Sequence, residues 1–146
     1  MRQLVTEIDI KARTSHVWDI LMDFGAYPSW NPFIRRIAGE PRAGSRLDVT
    51  MEPPGGKPMR FTPRVLAVRP NRELRWKGKL YIPGLFDGEH SFTIEPTSKS
   101  TVHFIQHERF SGLLVPFLWK MLDTKTRKGF VAMNKALKSR AEKAGR

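Results

Sequence analysis

The fold is decided by the C-terminal stretch VPFLWKMLDTKTRKGFVAMNKALKSRA, residues 115–141. Its large apolar side chains recur every three or four residues, which is the period of an α-helix. Four other positions in its second half carry lysine or arginine, at residues 128, 135, 138 and 140, so the pattern predicts one long helix with a single apolar stripe. A stripe of this kind has to be buried against another element of the fold. The stripe consists of Val115, Trp119, Leu122, Thr126, Phe130, Met133, Leu137 and Ala141.

Upstream of this helix, apolar residues alternate with polar ones, which is typical of β-strands with one buried face. We expect seven strands, at residues 3–10, 33–38, 45–52, 59–69, 74–80, 86–95 and 101–110. Helical spacing after the first strand and the punctuation at Gly25 and Pro28 predict two short helices there. The sequence therefore predicts an α+β fold in one domain, residues 1–146. A curved antiparallel sheet of about seven strands would wrap around the long helix.

The composition excludes several kinds of site. The chain has no cysteine, so a disulfide framework, a thiol nucleophile and a thiolate metal site are all ruled out. The segment GGK at residues 55–57 lacks the rest of a phosphate-binding loop, and no dinucleotide fingerprint is present. We expect no cofactor. With neither a signal-peptide core nor an apolar run of about 20 residues, the expected location is the cytoplasm.

The net charge of +12 is concentrated in two segments. Residues 57–79 carry eight basic residues against Glu73 alone, and residues 120–146 carry nine against Asp123 and Glu142. Such patches are compatible with an acidic protein or an anionic membrane surface as partner, and equally with a solvated surface. No strand combines aromatic and basic residues in the manner of an RNA-binding sheet, so specific nucleic-acid binding is not expected.

Three segments carry a resemblance to a known superfamily: VWDILMDFGAYPSWNPFI (17–34), GEHSFTIEP (88–96) and ERFSGLLVP (108–116). With the order of elements, they resemble the helix-grip fold of the START and pollen-allergen-like (SRPBCC) superfamily. The resemblance is closest to its polyketide cyclase/dehydrase-like branch. It implies an internal cavity between sheet and helix. The superfamily includes lipid carriers, quinone-binding proteins and aromatase/cyclases, so the resemblance does not fix an activity.

Three polar residues occupy apolar positions of the last two predicted strands. His90 shares a face with Phe92, while Gln106 and Glu108 share one with Phe104. If these strands form a hairpin through the turn at 96–100, His90 lies opposite residues 106–108. A buried carboxylate needs a partner, so we expect the three to orient a ligand's polar group or to form a structural hydrogen bond. As an alternative, His90 and Glu108 would act as an acid/base pair.

Aromatic and aliphatic side chains on the same inner surface complete the predicted ligand-binding set. Its members are Trp30, Phe33, Trp76, Phe86, His90, Phe92, Phe104, Gln106, Glu108, Phe110, Leu122 and Phe130. Trp30, in the segment YPSWNPF, is equally explained as a plug between helices and sheet. Apolar loops at residues 81–86 and 111–116 are predicted either to cover an entrance or to pack against the last helix.

His103 and His107 have the HxxxH spacing of some metal sites. That spacing brings two rings together only on a helix, whereas on a strand it separates them by about 13 Å. We therefore predict no metal site. The leading hypothesis is binding of a small hydrophobic molecule, such as a lipid, a quinone or a polyketide-like aromatic metabolite. The alternatives are a cyclase or dehydratase using His90 and Glu108, and a protein- or membrane-binding module using the basic surface.

Overall fold

A computed structural model describes residues 2–79 and 87–144, apart from the side chains of residues 122 and 144. Within these ranges the chain forms eight strands and a helical C-terminal segment. The strands are β1 Arg2–Ile10, β2 Ile34–Ala38, β3 Asp48–Met51, β4 Met59–Phe61, β5 Arg64–Arg69, β6 Glu73–Lys79, β7 Asp87–Pro96 and β8 Val102–Ser111. The helices are α1 Thr14–Met22, a 3-10 turn Phe24–Ala26, α2 Tyr27–Trp30, α3 Val115–Met121, a π-helical turn Leu122–Thr126 and α4 Arg127–Ala144.

The strands form two antiparallel sheets that are joined along one edge. The larger has the order β1-β8-β7-β6-β5, and the smaller has the order β2-β3-β4. The amides of Gly44 and Leu47 donate to the carbonyls of Val65 and Pro63, at 2.8 and 2.9 Å, and the Val65 amide donates to Ser45. These bonds connect the segment before β3 to the start of β5. The predicted α+β helix-grip architecture is confirmed.

The strand count differs from the predicted seven because residues 59–69 are two strands. Proline has no amide hydrogen and cannot continue a ladder of hydrogen bonds. Pro63 lies at the break, so that β4 pairs with β3 while β5 pairs with β6. Val65 is buried as the alternation predicts, but Met59 is 41% exposed and a register shift between Val65 and Ala67 interrupts β5. The division between the two sheets was also not predicted.

The C-terminal helix packs its predicted stripe against the sheet, although a π-helical turn interrupts it. Phe130, Met133, Leu137 and Ala141 on α4 are fully buried. A Cβ atom on Gly129 would clash with the ring of Phe33, the residue before β2, so only glycine allows the helix to approach this ring so closely. The extra residue of the π turn is invisible in a pattern of threes and fours, because both spacings already occur in a regular helix.

The predicted burial of alternate strand positions is confirmed on β6, where Leu74 and Trp76 are buried while Lys77 and Lys79 are exposed. Arg75, which was expected to be exposed, is half-buried. None of the helices in residues 2–79 and 87–144 is both long enough and apolar enough to cross a membrane.

Candidate ligand-binding cavity

A largely apolar cavity lies between the smaller sheet and the ends of β6, β7 and β8. Its volume, taken as the space open to the centre of a water molecule, is about 70 Å³. The π-helical turn contributes Thr126, and Glu108 is the ionisable side chain among the described lining residues. The lining consists of Phe33, Met51, Pro53, Met59, Phe61, Trp76, Gly78, Gly88, Glu108, Phe110 and Thr126.

Two paired glycines leave room for this cavity. Gly78 on β6 lies directly opposite Gly88 on β7 in the antiparallel ladder. A Cβ atom on Gly78 would lie 3.1 Å from the Phe61 ring, and one on Gly88 would lie 2.9 Å from Glu108 Oε2. Side chains at these positions would press on the wall and on the carboxylate. The absence of side chains at both glycines therefore leaves space for the cavity next to the Glu108 carboxyl group.

The sheet register brings the three predicted polar residues together. His90 pairs with Glu108 across β7 and β8, and Gln106 lies one inner-face position further along β8. Glu108 Oε1 lies 3.1 Å from His90 Nδ1, and Gln106 Oε1 lies 3.0 Å from His90 Nε2. The predicted hairpin neighbourhood is confirmed by this geometry.

Two further residues extend the polar cluster beyond what the sequence predicted. The Gln106 side-chain amide donates to Asn134 Oδ1 at 2.7 Å and to the carbonyl of Phe130 at 3.2 Å, both on α4. The Asn134 amide in turn donates to Thr6 Oγ1 on β1 at 3.0 Å. We call the chain Glu108–His90–Gln106–Asn134–Thr6 the inner network. It joins strands β1, β7 and β8 to the C-terminal helix.

Aromatic rings enclose the His90 imidazole, which is fully buried. Its centroid lies 4.3 Å from that of the stacked Phe92, 4.8 Å from that of Phe130 and 5.4 Å from that of Trp76. His90 is therefore absent from the cavity wall. Of the inner network, Glu108 alone among the described residues lines the cavity, and His90 can reach a ligand only through it.

The structure places the predicted ligand-binding residues on the cavity wall, behind that wall and, for Trp30, in a separate groove. Phe33, Trp76, Glu108 and Phe110 line the cavity. A second group, fully buried behind the wall, consists of His90, Phe92, Phe104, Gln106 and Phe130.

Trp30 instead lines a separate groove with Ile20 and residues of α4. Phe86 and the Leu122 side chain lie outside the described residues, as does the loop 81–86 that was predicted as a lid. In the other predicted lid, residues 111–116, Leu113 is exposed whereas Val115 is buried.

Several lining residues were not in the predicted ligand set. Met51 and Met59 face each other across β3 and β4, and Phe61 follows on the same face. Their alternation was visible in the sequence, and two methionines that flank a Pro- and Gly-rich loop are a signal for an adaptable apolar wall. Thr126 belonged to the predicted stripe of the C-terminal helix, and the structure places it on the cavity wall within the π-helical turn.

His103 and His107 lie on the outer face of β8, away from the cavity. His103 Nδ1 is 2.7 Å from Asp9 Oδ1, and His107 Nε2 is 2.8 Å from Gln3 Oε1. The hydrogen bond to Asp9 raises the pKa of His103, whereas partial burial and then Arg109 lower the pKa of His107. In residues 2–79 and 87–144, no three His, Asp or Glu side chains gather in a way that could hold a metal ion.

Solved structures with the same fold cover almost the whole chain. A START superfamily protein from Mycobacterium smegmatis is 22% identical, with a TM-score of 0.77 over 97% of this chain and 98% of its own. The Zhui aromatase/cyclase from Streptomyces sp. R1128 is 16% identical, with a TM-score of 0.82 over 99% and 96%. Norcoclaurine synthase from Thalictrum flavum, in complex with dopamine and hydroxybenzaldehyde, is 16% identical, with a TM-score of 0.73 over 97% and 87%.

At these identities the structures show a common fold and not a common activity. Comparison with curated protein sequences gives no significant match. A family model described as polyketide cyclase / dehydrase and lipid transport matches residues 1–142. The chain therefore belongs to this polyketide cyclase/dehydrase and lipid transport family.

Proposed function

We propose that the protein binds a small hydrophobic molecule in the cavity, as a carrier or a sequestering protein of the cytoplasm. The observation that carries this is a largely apolar wall interrupted by one carboxyl group. Pockets for small ligands characteristically combine apolar walls with a few placed polar groups. Lipids, quinones and polyketide-like aromatic metabolites fit this description. The proposal is supported by relatives of the same fold that are aromatase/cyclases or that hold aromatic ligands.

A substitution that fills the cavity tests the proposal. Thr126 lines the cavity from the π-helical turn, whereas the exposed Thr124 on the same turn does not. We expect Thr126→Trp to weaken binding of a lipophilic fluorescent probe such as Nile red at least about tenfold, because the indole would occupy the probe's space. Thr124→Trp is the matched control and should bind like wild type. Equal probe affinity in both variants would place the binding elsewhere.

The enzymatic alternative is a cyclase or dehydratase in which Glu108 exchanges a proton with the substrate while His90 supports it. Its favouring observation is the 3.1 Å contact between a buried imidazole and a carboxylate on the wall. General acid–base catalysis contributes about a hundredfold to ten-thousandfold. For a substrate that turns over, Glu108→Gln should lower kcat by that order while leaving binding measurable. Loss of binding and rate in parallel would favour the carrier.

A membrane-contact alternative is favoured by exposed apolar residues at the start of the C-terminal helical segment. Phe117 and Met121, four residues apart on α3, are 83% and 48% exposed and lie along one side, and Leu113 in the turn before the helix is 73% exposed. Lys120 and Lys125 lie nearby and are also exposed. Apolar side chains flanked by lysine suit the surface of an anionic bilayer.

Cosedimentation with phosphatidylserine vesicles tests this alternative. Phe117→Ser should reduce the bound fraction, whereas Val131→Ser, which removes an exposed apolar side chain from α4, should not. High salt should also weaken binding, because ions screen the attraction of the basic residues to the vesicle. Equal binding of both variants would remove this helix from consideration.

A further inference from the structure

We propose that the cavity selects hydrophobic ligands that carry a hydrogen-bond donor, a hydroxyl or N–H group, and seats that donor on Glu108 Oε2. The inference rests on the proposed binding function and names the class of ligand. It follows from which atoms donate and which accept in the hydrogen bonds of the inner network. A backbone carbonyl at one end of the network determines this order.

The fixed end is the carbonyl of Phe130. A carbonyl only accepts hydrogen bonds, so the Gln106 atom 3.2 Å from it must be the amide nitrogen. That nitrogen also donates to Asn134, which leaves Gln106 Oε1 facing His90 Nε2 at 3.0 Å. Because this oxygen only accepts, His90 Nε2 carries a hydrogen and donates it.

The second step concerns His90 Nδ1 and Glu108 Oε1, which are 3.1 Å apart. If neither carried a proton, two lone pairs would face each other in a buried site, which is unfavourable. One proton therefore lies between them, either on a charged imidazole beside a carboxylate or on a carboxylic acid beside a neutral imidazole. In both arrangements the shared proton is on the Oε1 side. Glu108 Oε2 is left as a hydrogen-bond acceptor.

The third step is the position of Oε2. It lies 2.9 Å from the point that a Cβ atom on Gly88 would occupy, and both residues line the cavity. Among the hydrogen bonds of the described residues, Glu108 bonds His90 through Oε1, so Oε2 is available to a ligand. A ligand donor satisfies this oxygen, whereas a ketone, ether or carboxylate would set acceptor against acceptor.

Matched aromatic probes test the inference. The hydroxyl of 2-naphthol is a donor, and 2-methoxynaphthalene has the same rings without it. We expect the ratio of their affinities, naphthol over methoxy, to fall at least about tenfold from wild type to Glu108→Leu, because a lost hydrogen bond to a buried acceptor has this effect. Thr124→Val removes an exposed hydroxyl from the same π-helical turn outside the cavity and is the control, with a ratio close to that of wild type.

Glu108→Gln sharpens the test because it keeps the geometry and replaces the carboxyl group with an amide. With His90 Nε2 donating to Gln106, a neutral imidazole accepts at Nδ1 from the new amide, and the new side-chain oxygen faces the cavity. The preference for naphthol should therefore survive in Glu108→Gln. Loss of the preference in Glu108→Gln, or its retention in Glu108→Leu, overturns the inference.

A measurement on the wild-type protein covers the case in which a variant does not fold. Bound 2-naphthol should show nuclear Overhauser contacts between ring protons beside its hydroxyl and the α-protons of Gly88, since Oε2 lies against that residue. Binding without these contacts overturns the inference and leaves the proposed function standing. Failure of both probes to bind the wild-type protein overturns both.

Discussion

The two faces of β8 carry similar chemical groups in opposite surroundings. On the inner face, Glu108 contacts His90, which is fully buried. On the outer face, His103 contacts Asp9 at 2.7 Å, with 28% of the His103 side chain and 82% of the Asp9 side chain exposed. The outer pair has the shorter distance, yet water can replace either of its partners. Burial, and not contact distance, decides how much each pair contributes to the fold.

The difference also decides whether the groups act singly or together. Outer-face histidines respond to their own neighbours, which is why the pKa values of His103 and His107 shift in opposite directions. Inner-face groups have no alternative partner in water, so each hydrogen bond fixes the direction of the next. A strand can therefore present an ordered polar network on one side and independent surface groups on the other.

The largest expected difference in stability is between substitutions of two glutamines, each of which contacts a histidine through Oε1. Gln106 contacts the buried His90 at 3.0 Å, and Gln3 contacts the partly exposed His107 at 2.8 Å. Gln106→Met leaves several buried polar groups without partners, so we expect the free energy of unfolding to fall by about 3 kcal/mol. Gln3→Met should change it by less than about 0.5 kcal/mol. Urea denaturation measures both, and similar losses would contradict the contrast between the faces.

The inner network shows which parts of the site the sequence could predict. Period-two alternation puts Gln106 and Glu108 on the buried side of β8, and the turn at 96–100 makes β7 its neighbour, so the approach to His90 was predictable. These are local consequences of strand geometry. Asn134 and Thr6 were not predictable, because Asn134 meets Gln106 across 28 residues of sequence and Thr6 meets Asn134 across 128. The orientation of the helix about its own axis, relative to the sheet, depends on tertiary packing, which the periodicity of the sequence does not encode.

The same limit applies to the cavity and to the division between the sheets. Gly78 and Gly88 are ordinary strand glycines in the sequence, and they matter because the register sets them opposite each other. A proline inside a strand, such as Pro63, is typical of a bulge or an edge, which is a local property. The transfer of the chain from one sheet to the other is not a local property. The type of each element and its buried face could be predicted from local sequence patterns. The cavity could not, because it depends on how the elements pack together.

Double-mutant cycles compare the coupling energy of one pair of side chains on the inner face of β8 with that of one pair on the outer face. We expect a coupling energy of about 2 kcal/mol between His90 and Glu108, from His90→Leu, Glu108→Leu and the double variant. The outer pair, His103 and Asp9, should give about 0.5 kcal/mol or less. Unfolding free energies of the wild type and the six variants, three for each pair, provide both values. A larger coupling on the outer face would show that contact distance outweighs burial in this sheet.

A smaller effect is expected from a methyl group beside the carboxylate. Gly88→Ala would place its Cβ 2.9 Å from Glu108 Oε2, and the carboxylate cannot move without weakening its contact with His90. We expect a loss of about 1 kcal/mol in unfolding free energy. Gly25→Ala is the control, since nothing lies within 4 Å of its Cβ position. If Gly88→Ala were as stable as Gly25→Ala, the carboxylate would be free to shift and the network would be looser than its distances suggest.

The smallest expected effect is the pH dependence of the two outer-face histidines. The pKa of His103 is raised above the ordinary value of 6.5, mainly by its hydrogen bond to Asp9. Its contribution to stability is therefore fully present below about pH 6.5 and is lost as the pH rises through the raised value. The pKa of His107 is lowered, mainly by partial burial, so its contribution is present above about pH 6.5 and is lost as the pH falls through the lowered value.

Because the signs are opposite, His103→Gln and His107→Gln should have opposite pH profiles. His103→Gln should destabilise the protein more at about pH 5 than at about pH 9, and His107→Gln should do so more at about pH 9. Both differences should amount to a few tenths of a kcal/mol, since exposed pairs contribute little. Urea midpoints across this range measure them. Parallel profiles would mean that the two pKa values shift in the same direction, which would contradict the different surroundings of the two side chains on the outer face of β8.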